Sequence, residues 1–295
     1  MNADSDYRSR FLFDEHPARG LYVRLSEVWQ HILQRKNYPP AIRRALGEVL
    51  AAAALLSEDL KSDHTLTIQV QGKGVLKMLV AEAVSGTCRA TARWDESVAV
   101  ADDADLHQLL GGEGIFAITV QPRNGEPWQG IVPLHSGGIA AMLADYMQRS
   151  QQIQTHIVLS ADEQQACGFL LQRLPESEAD DEAWAQVALP AQTLSAEELN
   201  RLPADALLYR LFHEHPPRVF PAEALEFACS CSRGKVADML LLLGCKEVGE
   251  VVAEEGSISV DCDFCNERYT FDEADADALF GTGVVAAAQE MRQAA

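Results

Sequence analysis

The chain has 295 residues, enough for two domains or for one domain with an appendage, and its 44 acidic against 24 basic side chains leave a net charge of −20. That charge repels nucleic acid and anionic membranes alike, while 47% hydrophobic and 23% charged residues exclude wholesale disorder. The longest apolar run, Val49 to Leu56, is too short to span a bilayer, and Met1 to Arg10 carries no apolar core of signal-peptide length. A soluble cytoplasmic protein with neither nucleic acid nor membrane as partner is expected.

In chain order, Ser26 is placed to cap a helix carrying Val28, Trp29, Ile32 and Leu33, and Pro39-Pro40 opens a longer one through Leu46, Val49, Leu50 and Ala53. The period then changes to two. Leu66, Ile68 and Val70 alternate with Thr67, Gln69 and Gln71, and Gly72-Lys73-Gly74 turns the chain into Leu76, Met78 and Val80. Strands near 87–93, 115–121 and 128–134 continue the sheet, a helix over 137–149 shows Ile139, Met142, Leu143 and Tyr146 at helical spacing, and a strand over 154–160 follows.

Beyond this point charge and proline change together. Residues 176–227 hold 11 acidic and 3 basic side chains, and six of the twelve prolines (Pro175, Pro190, Pro203, Pro216, Pro217 and Pro221) fall within 47 residues. Proline breaks helices, so this zone is predicted to hold short amphipathic pieces, one with Leu207, Leu208, Leu211 and Phe212 on an apolar stripe. Such pieces are too short to be stable alone in water and must lean on a neighbour. In the last zone Ile258, Val260 and Cys262 share a strand face, as do Tyr269 and Phe271, and Val236, Met239, Leu240 and Leu243 lie on a helix stopped by Gly244. The fold class expected is α+β: an N-terminal mixed α/β-sheet domain (1–175), a helical linker (176–227) and a small C-terminal zinc-binding domain (228–295).

The cysteines carry the chemistry. Five of the seven lie between Cys229 and Cys265, and four form two close pairs, Cys229-Ser230-Cys231 and Cys262-Asp263-Phe264-Cys265, with thirty residues between them. Two pairs flanking one supersecondary unit is how a four-thiolate zinc site is built, so Cys229, Cys231, Cys262 and Cys265 are the predicted ligands of one Zn2+. A single residue between the first two is unusual for a static site. Each pair can also close into a small disulfide ring, which is reversible rather than structural, and Arg233 and Lys235 add positive charge that favours thiolate. Structural zinc carries about 10–16 kcal/mol of apparent binding free energy, comparable to the roughly 5–15 kcal/mol stability of a whole domain. Losing the metal should therefore unfold the last zone and loosen the linker.

On these residues the chain resembles the family of redox-regulated holdase chaperones called the 33 kDa heat-shock protein. The most specific stretches are CSCSRGKVADML and SVDCDFCNERYTF, supported by LTIQVQGKGVLKMLVAEA, ITVQPRNGEPWQGIVPL and IAAMLADYMQRSQQIQT. The resemblance implies a chaperone, not an enzyme: zinc-bound and inactive when reduced, switched on by oxidation, dimeric when active, and holding unfolding client proteins without ATP. It implies that the N-terminal domain serves client binding and dimerisation, that the linker is metastable, and that oxidation pairs Cys229 with Cys231 and Cys262 with Cys265. Cys245 has no place in that pattern.

Other features read more simply. Cys88 and Cys167 sit in apolar stretches as core thiols, Gly72-Lys73-Gly74 is a hairpin turn rather than a phosphate loop, and His213 and His215 belong to a plain loop before Pro216-Pro217. Two rival readings remain open: a static zinc ribbon that docks a protein partner, and a thiol oxidoreductase using Cys262 and Cys265, which would need that pair at a helix N-terminus after a strand.

Overall fold

A computed structural model describes residues 6–58, 60, 63–174 and 181–281. The expected boundary at 175/176 and the last part of the third zone, 282–295, lie outside the described residues. The chain forms two compact units, one up to Ala228 and one from Cys229.

The first unit is built on two large sheets. Strands β1 (Tyr7–Leu12) and β2 (Ala18–Leu25) precede helices α1 (Glu27–Leu33) and α2 (Pro40–Leu56). Three strands follow, β3 (His64–Gly72), β4 (Leu76–Val84) and β5 (Thr87–Trp94), then the short helix α3 (Leu106–Leu110), then β6 (Gly114–Pro122) and β7 (Trp128–Val132). Helix α4 (Gly138–Tyr146) runs on into one π-helical turn (Met147–Gln151), followed by β8 (Thr155–Ala161) and β9 (Ala166–Arg173). The linker zone contributes α5 (Asp181–Gln192), α6 (Ala196–Arg201), α7 (Ala204–Phe212) and three two-residue strands, β10 (Arg218–Val219), β11 (Glu223–Ala224) and β12 (Glu226–Phe227). One sheet has the order β10-β1-β2-β9-β8 with β11 also on β1, and is antiparallel throughout. The other has the order β12-β5-β4-β3-β6-β7, where only β12 runs parallel to its neighbour.

Helix α2 explains why the two sheets belong together. It packs against β2, β8 and β9 of one sheet and β3, β4 and β5 of the other. Its second half is apolar all round, with every residue from Val49 to Leu55 buried, as a helix segment enclosed on all sides requires, while Arg43, Arg44 and Glu48 of the first half are only partly covered. The N-terminus of α1 differs from expectation. Ser26 occupies the cap position without a side-chain bond; instead the Asp6 carboxylate accepts from the backbone N–H of Ser26, of Glu27 (2.9 Å) and of Val28 (2.6 Å). A carboxylate satisfies those orphan donors and the positive end of the helix better than a hydroxyl.

The linker helices cover the far side of the first sheet. Phe11, Phe13, Tyr22 and Phe169 form an aromatic face onto which Val187, Leu199, Leu207, Leu208, Leu211 and Phe212 close as a second core. The Phe13 and Phe212 rings meet edge-on at 5.0 Å, and Phe11 lies over Gly20, where any Cβ would strike its ring. Polar ties hold the end of α6: the Arg24 guanidinium donates to the Leu202 carbonyl at 2.7 Å and to that of Asn200 at 3.3 Å. The linker zone thus leans on a neighbour, although Pro190 sits inside α5 rather than ending it.

The second unit is small. Helices α8 (Arg233–Leu243) and α9 (Cys245–Glu255) lead into the hairpin β13 (Ser257–Asp261) and β14 (Arg268–Asp272) and helix α10 (Glu273–Phe280). Its fully buried apolar residues among those described are Leu240, Val248, Val252, Phe271 and Ala276. The expected stripe of α8 is therefore only partly used: Leu240 is buried and Val236 partly so, while Met239 and Leu243 stay exposed, since a unit this size has too few elements to cover a whole helix face.

His156, on β8 beneath α5, gives the linker a pH dependence. Burial holds its pKa below the usual 6.5 against the opposing hydrogen bond with the Ala191 carbonyl. The folded protein thus binds this proton less readily than the unfolded chain, so stability should be full at neutral pH and fall as pH drops through about 6.5. Thermal unfolding followed from pH 8 to pH 5 should show that loss, and His156→Asn should flatten it.

Candidate metal centre

Each half of the centre comes from a short irregular segment at the edge of a regular one. Cys229 and Cys231 follow β12 and precede Ser232, whose hydroxyl caps α8 by accepting from the Lys235 N–H at 3.3 Å. Cys262 and Cys265 occupy the turn between β13 and β14. That turn is pinned by the Cys262 N–H on the Glu267 carbonyl (2.9 Å) and the Asn266 N–H on the Cys262 carbonyl (2.8 Å), with Asn266 in the left-handed region at φ 57°. Asparagine tolerates that conformation better than most residues.

The four Sγ atoms lie within 4.8 Å of one another, and all four residues are half-buried. Cys229 and Cys262 approach to 3.6 Å, Cys231 and Cys265 to 3.4 Å. A tetrahedron with metal–sulfur bonds of about 2.3 Å has edges of about 3.8 Å, so the donor set fits a tetrahedral thiophilic cation such as zinc. Burial opposes ionisation at Cys229, yet hydrogen bonds from the Cys231 backbone and from the neighbouring thiols outweigh it and bring its pKa down to about 7. Burial raises Cys262 and, with the adjacent thiols, pushes Cys265 up to about 12. Cys229 thus ionises more readily than Cys262 or Cys265.

Two supporting residues were not legible as such. The Tyr269 hydroxyl donates to Cys231 Sγ at 3.2 Å, a bond to a ligand atom from a residue whose sequence signal was strand alternation alone. Arg233, expected to favour thiolate, is engaged elsewhere. Its guanidinium donates to the Thr270 carbonyl (2.7 Å), pairs with Asp275 (2.7 Å) and lies 4.1 Å over the Phe271 ring, so it ties α8 to β14 and α10. The remaining cysteines stand apart. Cys88 and Cys167 are buried in the first unit, where burial pushes both up to about 12 and leaves them inert thiols, and Cys245 is exposed at the start of α9. Arg233→Ala should destabilise the second unit by about 1–2 kcal/mol, through the lost carbonyl bond and ring contact more than the half-exposed ion pair. Thermal unfolding of that unit, read by hydrogen exchange, measures it.

No helix among the described residues is long and apolar enough to cross a membrane. The chain matches the Hsp33 protein family over residues 6–272. It is 63% identical over 286 residues to the 33 kDa chaperonin of Neisseria meningitidis serogroup B, covering 97% of this chain and 95% of that one, and 47% identical over 290 residues to the 33 kDa chaperonin of Chromobacterium violaceum, covering 97% and 98%. The crystal structure of the 33 kDa chaperonin (heat shock protein 33 homolog) of Thermotoga maritima superposes with a TM-score of 0.80 at 26% identity, over 92% of this chain and 97% of that one. With its mixed α+β architecture and four-cysteine cluster, the chain belongs to the Hsp33 family of chaperones.

Proposed function

We propose that this protein is a redox-regulated, ATP-independent holdase: inactive while Cys229, Cys231, Cys262 and Cys265 hold one Zn2+, and active once an oxidant has converted them to disulfides. The observation that carries the reading is the pairing of a four-sulfur cluster with a unit whose described core is five buried apolar side chains. So small a core needs a further cross-link, and bound zinc supplies it by tying the segment before α8 to the β13–β14 turn.

Oxidation removes that link. Two thiolates, the form that would hold the metal, give up two electrons to one peroxide, forming one disulfide and two hydroxides that solvent protons turn to water, and a second peroxide does the same for the other pair. Disulfide sulfurs are poor ligands, so the oxidised cysteines would no longer hold the metal. All four sulfurs are mutual neighbours, and the local pairs Cys229–Cys231 and Cys262–Cys265 are proposed from the family resemblance. The Cys262–Cys265 pair sits on a hairpin turn instead of a helix N-terminus, which favours a metal-holding and switching role over thiol-exchange catalysis.

The linker (176–227) is the proposed metastable element between a C-terminal switch domain (228–295) and an N-terminal domain (1–175) that binds clients and dimerises. Its path from α7 to the first cysteine is fastened by three strands of two residues each. Undocking α5 to α7 would expose the aromatic face of Phe11, Phe13 and Phe169 for unfolding clients, at about 25 cal/mol per Å2 of apolar area buried. No complete Walker motif is present in the sequence, in keeping with capture without nucleotide. Reversible thiol chemistry suits a reducing cytoplasm.

Zinc content and suppression of aggregation, measured before and after peroxide, test this together. The reduced protein should hold one zinc per chain and protect a thermally unfolding enzyme poorly. The oxidised protein should be zinc-free, dimeric by light scattering and protective. Equal protection by both forms would leave a constitutive binder, and none by either a static zinc module. Cys→Ser at any of the four positions should severely weaken zinc binding, while Cys88→Ser and Cys167→Ser leave it intact. Hydrogen exchange after peroxide should rise across 181–281 and stay low in α2 and the strands around it.

A further inference from the structure

Three of the eight histidines lie on the seam between the linker helices and the first sheet. His16, in the turn between β1 and β2, is only 9% exposed. Its Nε2 shares a 3.0 Å hydrogen bond with the Gln186 side-chain oxygen of α5. Its ring packs on that of His215, which follows α7, with the centroids 4.4 Å apart. His156 of β8 bonds to the Ala191 carbonyl of α5, while its Nε2 is buried and has no hydrogen-bond partner. One histidine therefore touches the middle of α5, one its C-terminal end, and one the chain leaving α7.

Each contact suits a neutral imidazole and resists a charged one. Two imidazolium rings in contact at 4.4 Å would repel, so the docked pair takes up fewer protons than the same two side chains in water. A proton on His156 Nε2 would be a buried donor with no acceptor. The surrounding carboxylates do not relieve either cost. Near His16 and His215 stand Asp14 and Glu15 of the turn, Glu182 of α5 and Glu214, and Asp14 is taken by Arg218 at 3.0 Å. Exposed His213 turns instead toward Tyr209, at 5.9 Å. Around β8, Asp181 of α5 pairs with Arg173 of β9 (2.7 Å), Glu197 of α6 with Arg201 (2.8 Å) and Glu198 with Arg210 of α7 (2.7 Å). Helix α4 also packs on β8, and its Asp145 lies 3.5 Å from Arg149 and 3.4 Å from His135. Among the described residues no carboxylate pairs with His16, His156 or His215.

We propose that acid releases the linker without an oxidant: as pH falls below about 6.5, proton uptake at His16, His215 and His156 undocks α5 to α7 from the first sheet while the four cysteines stay reduced. This rests on the reading of the linker as the element whose undocking uncovers the client face. The undocked linker binds more protons than the docked one, so docking is full at neutral pH and weakens in acid. Each extra proton shifts the equilibrium up to about tenfold per pH unit below 6.5. Oxidation acts on the sulfurs and acid on the seam, and both end at the same aromatic face.

Amide hydrogen exchange of the reduced, zinc-loaded, full-length protein at pH 7.5 and pH 5.5, corrected for intrinsic exchange rates, tests the proposal, with α2 as internal reference. Protection across 181–212 should fall at least tenfold at pH 5.5, with α2 still protected and the thiols still reduced. The triple variant His16→Gln, His156→Asn, His215→Gln should keep its linker protected at pH 5.5. Should it fail to fold, His215→Gln alone, at a half-buried loop position, should recover part of the protection. Unchanged linker protection at pH 5.5, an equal loss in α2, or an equal loss in the histidine variants would each overturn the proposal, whatever the zinc content at that pH. Suppression of aggregation separates it from the reading it rests on. A linker released at pH 5.5 without protection of a client supports acid release and counts against the client face. Protection after peroxide at pH 7.5, with a linker that stays docked at pH 5.5, overturns acid release alone.

Discussion

Four sulfur atoms drawn from two distant stretches of sequence come within 4.8 Å of one another in the C-terminal unit, and the proposed metal would make them its cross-link. The apolar contribution there is modest, since the buried residues described are Leu240, Val248, Val252, Phe271 and Ala276, and neighbours such as Val236 and Ile258 are only partly covered. Arg233 and Tyr269 arrange themselves around the same cluster, one by tying α8 to β14 and α10, the other by donating to a sulfur. With zinc bound as proposed, such a fold would depend on the state of its thiols, because cross-linking by a metal is worth about as much as a whole domain's stability.

The first unit rests on different physics. Helix α2 is enclosed by strands of both sheets, and Trp29, with no exposed surface, donates its indole N–H to the Asp162 carbonyl at 2.8 Å, joining α1 to the β8–β9 turn. None of this depends on thiol chemistry, and its two cysteines are buried with pKa values near 12. Between these extremes lie α5 to α7. They share a core with Phe11, Phe13, Tyr22 and Phe169 of the first sheet, and Arg24 fastens the end of α6. With the proposed metal in place, three grades of stability would follow along one chain: apolar burial first, borrowed burial next, and the sulfur cross-link last.

The sequence was most readable where a period of two or a helix-opening proline marks an element. Strands β3 to β8 and helix α2 stand where period and capping put them, within a few residues, and the four cysteines that meet in space are those whose spacing singled them out. Strands β2 and β9 escaped notice because both their faces are covered, by α2 on one side and the linker helices on the other, so alternation vanishes from ARGLYVRL and ACGFLLQR. Strand β1 was hidden by Arg8, whose burial makes sense only with Glu223 at 2.8 Å and the Ala54 carbonyl at 2.9 Å, partners remote in sequence. The Asp6 cap on α1 was invisible for the same reason. Arg233 was misread because adjacency to Cys231 in sequence says nothing of Phe271 and Asp275, which claim it in space.

Separating the sensor from the apolar surface has a physical advantage. A thiol cluster must remain half-buried to meet an oxidant, whereas an aromatic face left open would associate indiscriminately. Here Cys229, Cys231, Cys262 and Cys265 are half-exposed, while Phe11 and Phe169 are fully buried. The element between them combines a strongly acidic composition, 11 carboxylates against 3 basic groups, with a narrow apolar stripe on α7. Its acidic side keeps it soluble once released, and its stripe keeps it docked until then. A more apolar linker would stay on the sheet regardless of the thiols, and a more polar one would never dock. On the proposed mechanism, the composition that first marked residues 176–227 as unable to fold alone is the property that would let a change in four sulfur atoms reach a surface built from phenylalanine.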